Sequence, residues 1–209
     1  MELTKHLFCL TIKRIEMNRK PFSVIKTPRL IVRPYALKDA PELCQSMKDG
    51  TNHLLPWLPW AKDEPQSLLE KQQLIATFIK KFNNLEDFVY GIFDHSNTRL
   101  LGGTGLHPRV GPNNIEIGYW VRYGETGNGI ATEASYAMSR AALLLDYTQV
   151  IIRMDAKNRA SIKVPQKLGF TEVINSEHRI INGVEGRVFI TTKSEFIINK
   201  KNEPLEFID

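Results

Sequence analysis

Residues 119–136 read YWVRYGETGNGIATEASY, and how this stretch is parsed decides the fold. Tyr119–Val121 closes a strand-like run, the residues from Ala131 onward are rich in Ala and Leu as a helix would be, and Gly127 and Gly129 stand one residue apart between them. A strand, a glycine turn and a helix in that order present unpaired backbone N–H groups and the positive end of a helix dipole to an anion. Gly127 tolerates positive φ, and a side chain at Gly129 would stand where phosphate oxygens must approach. The turn is therefore expected to cradle a phosphate or pyrophosphate. A plain strand-to-helix turn would carry the same glycines, so the surrounding sequence has to decide.

Two well-known phosphate motifs do not fit. A P-loop requires Gly-Lys-Ser/Thr, whereas Ile130-Ala131 follows the last glycine here. A dinucleotide fingerprint requires a third glycine where Thr132 stands, and it opens a doubly wound sheet for which too little chain remains.

Working outward, RLIVR (Arg29–Arg33) predicts a strand ended by Pro34. Asp39 follows as an N-cap, with Ala40, Leu43, Cys44 and Met47 on one helical face and Gly50 as a stop. A second helix is expected with Pro65 in its first turn and Leu68, Leu69, Ile75, Phe78, Ile79 and Phe82 along its apolar side. Between these, HLLPWLPW (His53–Trp60) is apolar but broken by two prolines, hence a structured loop. FVYGIFD (Phe88–Asp94) and LLGGTGLH (Leu100–His107) read as a hairpin, and IEIGYWV (Ile115–Val121) as a strand alternating Glu116, Gly118 and Trp120 against Ile117, Tyr119 and Val121. A helix over Ala131–Leu145, a strand over Val150–Asp155 and a short helix over Arg159–Lys167 come next. Strands Phe170–Ile180 and Val184–Thr191 then flank an Asn182-Gly183 turn. The first 20 residues could form a short helix on Leu3, Leu7 and Leu10. The order is α+β, with one β-α-β crossover around residues 115–155.

The chain has 209 residues, 42% of them hydrophobic, enough for a sizeable core. No apolar run reaches the length of a membrane span and the N-terminal LFCLTI lacks a cleavage site, so the cytoplasm is the expected compartment. Two cysteines, with no zinc-like spacing, predict neither a disulfide framework nor a metal site. The net charge of +5 is spread among 28 basic and 23 acidic residues, a mild bias toward a phosphate-bearing ligand. No nucleic-acid-binding pattern accompanies it.

TGNGIA (Thr126–Ala131) resembles the [QR]-x-x-G-x-[GA] pyrophosphate loop of the GCN5-related N-acetyltransferases (GNAT), with Thr126 in place of the usual first residue. NRASIKVPQKLGF (residues 158–170) resembles that superfamily's second acetyl-CoA segment. HLLPWLPW, LLGGTGLH and EIGYWV followed by GIATEA look like its RimJ/RimL group. The resemblance runs from about Thr27 to about Thr192. It implies one α+β domain with a mostly antiparallel twisted sheet of roughly six to seven strands flanked by helices, splayed into a V between the fourth and fifth strands, Ile115–Val121 and Val150–Asp155. It places an extension at residues 1–20, the acetyltransferase domain at 21–195 and a tail at 196–209.

The same resemblance implies acetyl-CoA as cofactor and an amine as acceptor, either a protein N-terminus or a small molecule, with a homodimer allowed and no membrane or nucleic-acid partner. Thr126, Gly127, Asn128, Gly129, Ile130, Ala131 and Thr132 would hold the pyrophosphate. The backbone of Tyr119 and Val121 would pair with the pantetheine arm as an added strand does, amides near Trp120 would face the oxyanion, and Asn158 would bond a pantetheine carbonyl or cap its helix.

Acetyl transfer from a thioester needs a neutral amine, oxyanion donors and a proton for the thiolate. A protein α-amine, with a pKa near 8, needs only a modest base, while a lysine amine near 10.4 needs more help. Glu116 is the first candidate base, its pKa expected to be raised beside Ile115, Trp120 and Trp57, the alternative being an ion pair with Arg122 or Arg153. His107 is the second, against a polar cap, and Glu177 the third. Many relatives protonate the thiolate with a tyrosine where this chain has Pro165, so Ser161 becomes the candidate acid, the alternative being a helix cap. Trp57 is expected to line the acceptor pocket rather than only pack in the core, and Glu116 and Glu177 to border it. Cys44 belongs to a helix's apolar face, so attack is expected to be direct, in a ternary complex. A small cationic acceptor would want an acidic pocket, to which Asp39, Asp63, Glu64 and Asp87 could contribute. A CoA-binding protein without catalysis is the third reading.

Overall fold

β-Branched and aromatic runs build a sheet whose two faces are each covered by helices. The computed structural model describes residues 19–174, 176–181, 183–198 and 204–209. The order is β1 (Val24–Lys26), β2 (Leu30–Pro34), α1 (Ala40–Leu54), α2 (Leu68–Asn83), β3 (Phe88–Asp94), β4 (Leu100–His107), β5 (Asn114–Val121), α3 (Ile130–Leu144), β6 (Gln149–Asp155), α4 (Arg159–Lys167), β7 (Thr171–Glu172), β8 (Ile180–Ile181), β9 (Val184–Thr192), α5 (Lys193–Ile198) and β10 (Glu206–Ile208). The strands form one sheet ordered β10-β1-β2-β3-β4-β5-β6-β9-β7, with β8 paired to β9. All its pairings are antiparallel except β5 with β6, which α3 connects as a crossover.

Alternation along the strands sorts side chains onto the two faces. Ile115, Ile117, Val150 and Ile152 join Ala134, Ala137, Met138 and Ala141 of α3 in the larger core. Ile31, Phe93 and Leu100 meet Leu43, Met47 and Ile75 of α1 and α2 on the opposite face, with Trp120 packed alongside. Each fully buried aliphatic side chain contributes roughly 1.5–3 kcal/mol relative to exposure, which fixes which face of β5 looks toward α1 and α2.

Several local expectations change. Gly50 does not end α1, which continues to Leu54. A Cβ there would lie 3.2 Å from Tyr123 Cβ, so the residue is small because the β5–α3 connection packs against the helix. Pro65 precedes α2 rather than opening it. The start is Ser67, whose hydroxyl accepts from Glu70 N while the Glu70 carboxylate accepts from Ser67 N at 2.7 Å. The long strand expected over Phe170–Ile180 is interrupted after Glu172 by a 3-10 turn at Glu177–Arg179, because the Ser176 hydroxyl accepts from His178 N and competes with the ladder. Ile181 pairs with Val184 across a tight turn that includes Gly183 at φ 80°.

The sheet has more strands than the six or seven expected, since β1 precedes the first predicted strand and β10 pairs with it. Residues expected as a tail therefore contribute an edge of the sheet. The expected helix on Leu3, Leu7 and Leu10 lies outside the described residues. Among the described residues no helix is long and apolar enough to cross a membrane, and no cluster of His, Cys, Asp or Glu could hold a metal ion.

Candidate active site

The loop after β5 turns through Gly127 at φ 85° and Gly129 at φ 79°. A Cβ at Gly127 would meet nothing within 4 Å, and one at Gly129 would meet only the Arg29 guanidinium at 3.4 Å. Gly129 is the N-cap of α3 and supplies no side chain, so the amides of Ile130, Ala131 and Thr132 begin the helix without a side-chain cap. This uncapped turn suits a diphosphate. It is braced from outside: Arg29 donates from Nη1 to Asn128 O at 3.1 Å and from Nε to Glu133 Oε2 at 2.6 Å, and Thr27 Oγ1 donates to Glu133 Oε1 at 2.5 Å. Sequence reading missed Arg29, Thr27 and Glu133, because only the β2–α3 packing brings a residue about a hundred positions away to the loop.

Beside the loop the sheet opens. β5 and β6 pair only at Asn114–Glu116 with Gln149–Ile151. Beyond Glu116, β5 keeps its β4 partner through Val121 while its other edge has no strand. Arg122 N donates to Leu101 O at 2.9 Å, so by strand alternation the even-numbered residues of β5 aim their backbone groups at β4, and Tyr119 and Val121 aim theirs into the gap. An open edge of this kind takes an extended amide-bearing arm as a further strand.

On the α1–α2 face, glycines give a floor. A Cβ at Gly103 would lie 2.2 Å from Trp120 Nε1, and one at Gly105 would lie 2.6 Å from His107 Nε2. The indole and the imidazole thus occupy the space over the β4 glycines that side chains there would fill. Trp60 meets Trp120 edge-on, with ring centroids 6.4 Å apart, and is 42% exposed. Trp57 is half-buried in the same loop. His107 Nδ1 stands 2.6 Å from Asp87 Oδ1. Burial works to raise the Asp87 pKa, but the His107 hydrogen bond and the charges of His107, Lys81 and Arg109 hold it below the usual aspartate range.

Glu116 corrects an expectation. Its carboxylate, 5% exposed, accepts from Arg109 Nε and Nη2 at 3.0 and 2.7 Å and from Arg153 Nε and Nη2 at 3.0 and 2.6 Å. Burial alone would raise its pKa, but the two guanidiniums win and lower it. The raised carboxyl pKa expected of a base is not found, and the pairing with Arg153 weighed against it is. Arg122 instead bonds Glu42 and Asp49. Glu177 falls in the 3-10 turn rather than on a strand, and its side chain lies outside the described residues.

Across the gap, Asn158 caps α4, its Oδ1 accepting from Ser161 N at 3.0 Å, which leaves its Nδ2 hydrogens for a ligand carbonyl. The Tyr119 phenol reaches over from β5 to Ser161, 2.9 Å from both its carbonyl oxygen and its Oγ. Thr126 is exposed at the loop's outer end, and Cys44 is buried away in α1.

An acetyltransferase (GNAT) domain family model matches residues 29–171, which include the loop, the splayed strands and the α4 segment. The chain belongs to the GNAT acetyltransferase family. It is an acetyl-CoA-dependent N-acetyltransferase. A curated relative, "Probable N-acetyltransferase YjcK" of Bacillus subtilis (strain 168), is 26% identical over 171 residues, covering 77% of this chain and 91% of the relative. Among solved structures, RimL, the ribosomal L7/L12 alpha-N-protein acetyltransferase in complex with coenzyme A, superposes with a TM-score of 0.69 at 21% identity over 81% of this chain and 97% of its own. The microcin C7 self-immunity acetyltransferase MccE in complex with acetyl-CoA and AMP gives 0.68 at 19% identity over 79% and 93%. At these identities the two structures speak to the GNAT fold. The residues present fit the coenzyme: uncapped amides for the diphosphate, an open strand edge for the pantetheine arm, and Asn158 for one of its carbonyls.

Proposed function

We propose that this GNAT protein acetylates the α-amine of a protein or peptide N-terminus by direct attack in a ternary complex. One observation carries the choice of acceptor: three of the four carboxylates that could have formed an acidic pocket for a polycation are already engaged by side chains of this chain. Asp39 is held by Arg33 at 2.7 Å, Glu64 pairs with the buried Lys71, and Asp87 is taken by His107. Only Asp63 of the four is exposed. A peptide terminus, with a single charge and an amine already partly neutral near pH 7, asks for no such pocket. RimL, described as an alpha-N-protein acetyltransferase, supports the same reading.

In this reading the base is His107. Asp87 accepts the Nδ1–H hydrogen bond, which fixes the neutral tautomer with its Nε2 lone pair over Gly105 and Gly118, where the opened part of β5 begins. Glu116 holds Arg109 and Arg153 in place beside it. Acetyl-CoA supplies the activated acyl group. The β5 amides near Trp120 stabilise the oxyanion, Ser161 faces the sulfur, and Trp57 and Trp60 wall the acceptor side.

The test is a panel of amines with acetyl-CoA, following thiol release and product mass. Peptides with free N-termini are expected to turn over, N-terminally blocked lysine peptides and spermidine much less. His107→Gln should lower kcat by about a hundredfold on the accepted peptide. Preferred acetylation of spermidine or an aminoglycoside overturns the choice of acceptor, and coenzyme binding with no thiol release on any amine overturns the reading altogether.

A further inference from the structure

Ser161 stands in the first turn of α4, where its carbonyl would ordinarily accept from the N–H of residue 165. Residue 165 is proline, which has no N–H, so the α-helix leaves that carbonyl without its usual donor. The Tyr119 phenol fills the position: it comes from the opposite side of the splay, donates to Ser161 O at 2.9 Å, and lies equally 2.9 Å from Ser161 Oγ. Asn158 holds the Ser161 N–H at 3.0 Å from the other side. Amide, carbonyl and hydroxyl of one serine are thus gripped by two neighbours, one of which belongs to the strand that borders the pantetheine gap.

We propose that Tyr119 is a positioning residue for departure of the thiolate: its phenol aims the Ser161 hydroxyl at the sulfur, and Pro165 is what frees the Ser161 carbonyl to hold the phenol in reach. The inference rests on the reading that Ser161 faces the sulfur. When the C–S bond breaks, the electron pair stays on sulfur and the Ser161 hydroxyl turns its hydrogen toward that charge. The phenol oxygen lies 2.9 Å from both Ser161 oxygens, so its hydrogen turns from the carbonyl to Oγ and supports it. Tyr119 keeps its own proton throughout. Burial pushes the Tyr119 phenol well above its ordinary pKa, with only the Ser161 hydrogen bond opposing, so it stays a donor across the working range. The arrangement also ties donor to substrate, because the residue whose backbone faces the pantetheine gap is the one whose side chain sets the serine.

The test compares four variants on acetyl-CoA and a short peptide with a free N-terminal serine, reading kcat, KM and melting temperature. Tyr119→Phe is expected to lower kcat about tenfold with the acetyl-CoA KM within about twofold, and to lower the melting temperature by about 3 °C. Ser161→Ala should lose kcat to a similar degree, and the Tyr119→Phe/Ser161→Ala double variant no more than Ser161→Ala alone. Tyr119→Phe/Pro165→Ala returns an N–H to the Ser161 carbonyl, so it should recover the melting temperature but not kcat. Wild-type kcat in Tyr119→Phe, additive losses in the Tyr119–Ser161 pair, or recovery of kcat with Pro165→Ala each overturns the positioning role. Wild-type kcat in Ser161→Ala, by contrast, overturns the assignment of Ser161 to the sulfur on which the role depends.

Discussion

Glu116 owes its charge state to two arginines from different parts of the chain, Arg109 from the β4–β5 connection and Arg153 from β6. An acid set beside apolar neighbours in sequence predicts a raised pKa, and two guanidiniums in space reverse the sign. A carboxyl whose folded pKa is depressed stabilises fully above its unfolded value and loses that contribution as pH falls through the folded one. Glu116→Gln should therefore cost about 2 kcal/mol near pH 7, mostly from leaving the largely buried Arg153 short of a partner, since the Arg109 side chain is more than half exposed and water compensates it. The difference from wild type should shrink as pH falls below the usual glutamate range, near about 4. Urea midpoints across that range check it, and a difference that grows toward acid would contradict the pairing. His107 was legible as a candidate from its place at a strand end, but Asp87, twenty residues earlier, became its partner only through the β3–β4 register.

Among the elements, those with strong local chemistry were legible and those defined by a partner were not. Alternation marked β5 as a strand, yet nothing in IEIGYWV says that its second half lacks a neighbour. The strand parts from β6 after three paired positions, a relation between two strands that neither strand's own pattern carries. The start of α2 shows the reverse case, since the Ser67–Glu70 capping box is local and was passed over in favour of Pro65. Ser67→Ala should lower stability by about 1 kcal/mol, read as a lower urea midpoint at unchanged slope, with little effect on kcat because the cap lies away from the splay. An unchanged midpoint would show that α2 is held by packing alone.

At the scale of the molecule, an opened sheet is a cost that a bound arm removes, so coenzyme binding should be visible as stability. Acetyl-CoA at about 100 times its dissociation constant should contribute about 2.7 kcal/mol, a rise of roughly 5–10 °C in melting temperature for a chain of this size. Gly129→Val should erase that shift: a β-branched residue at φ 79° is strained, and its side chain would enter the turn beside Arg29. A full shift in the variant would place the diphosphate elsewhere. By itself the sequence determined the order of the main elements, the glycine turn and membership of a coenzyme-binding family, because these rest on hydrophobic period, turn chemistry and motif spacing, all local along the chain. Only the tertiary structure decided that Glu116 is an ionised brace, that Arg29 and Glu133 clasp the phosphate turn, and that Tyr119 answers the carbonyl Pro165 leaves open. Each of those depends on which distant groups share a few ångströms once burial and register are set, and a charge or a hydrogen bond takes its strength from those neighbours.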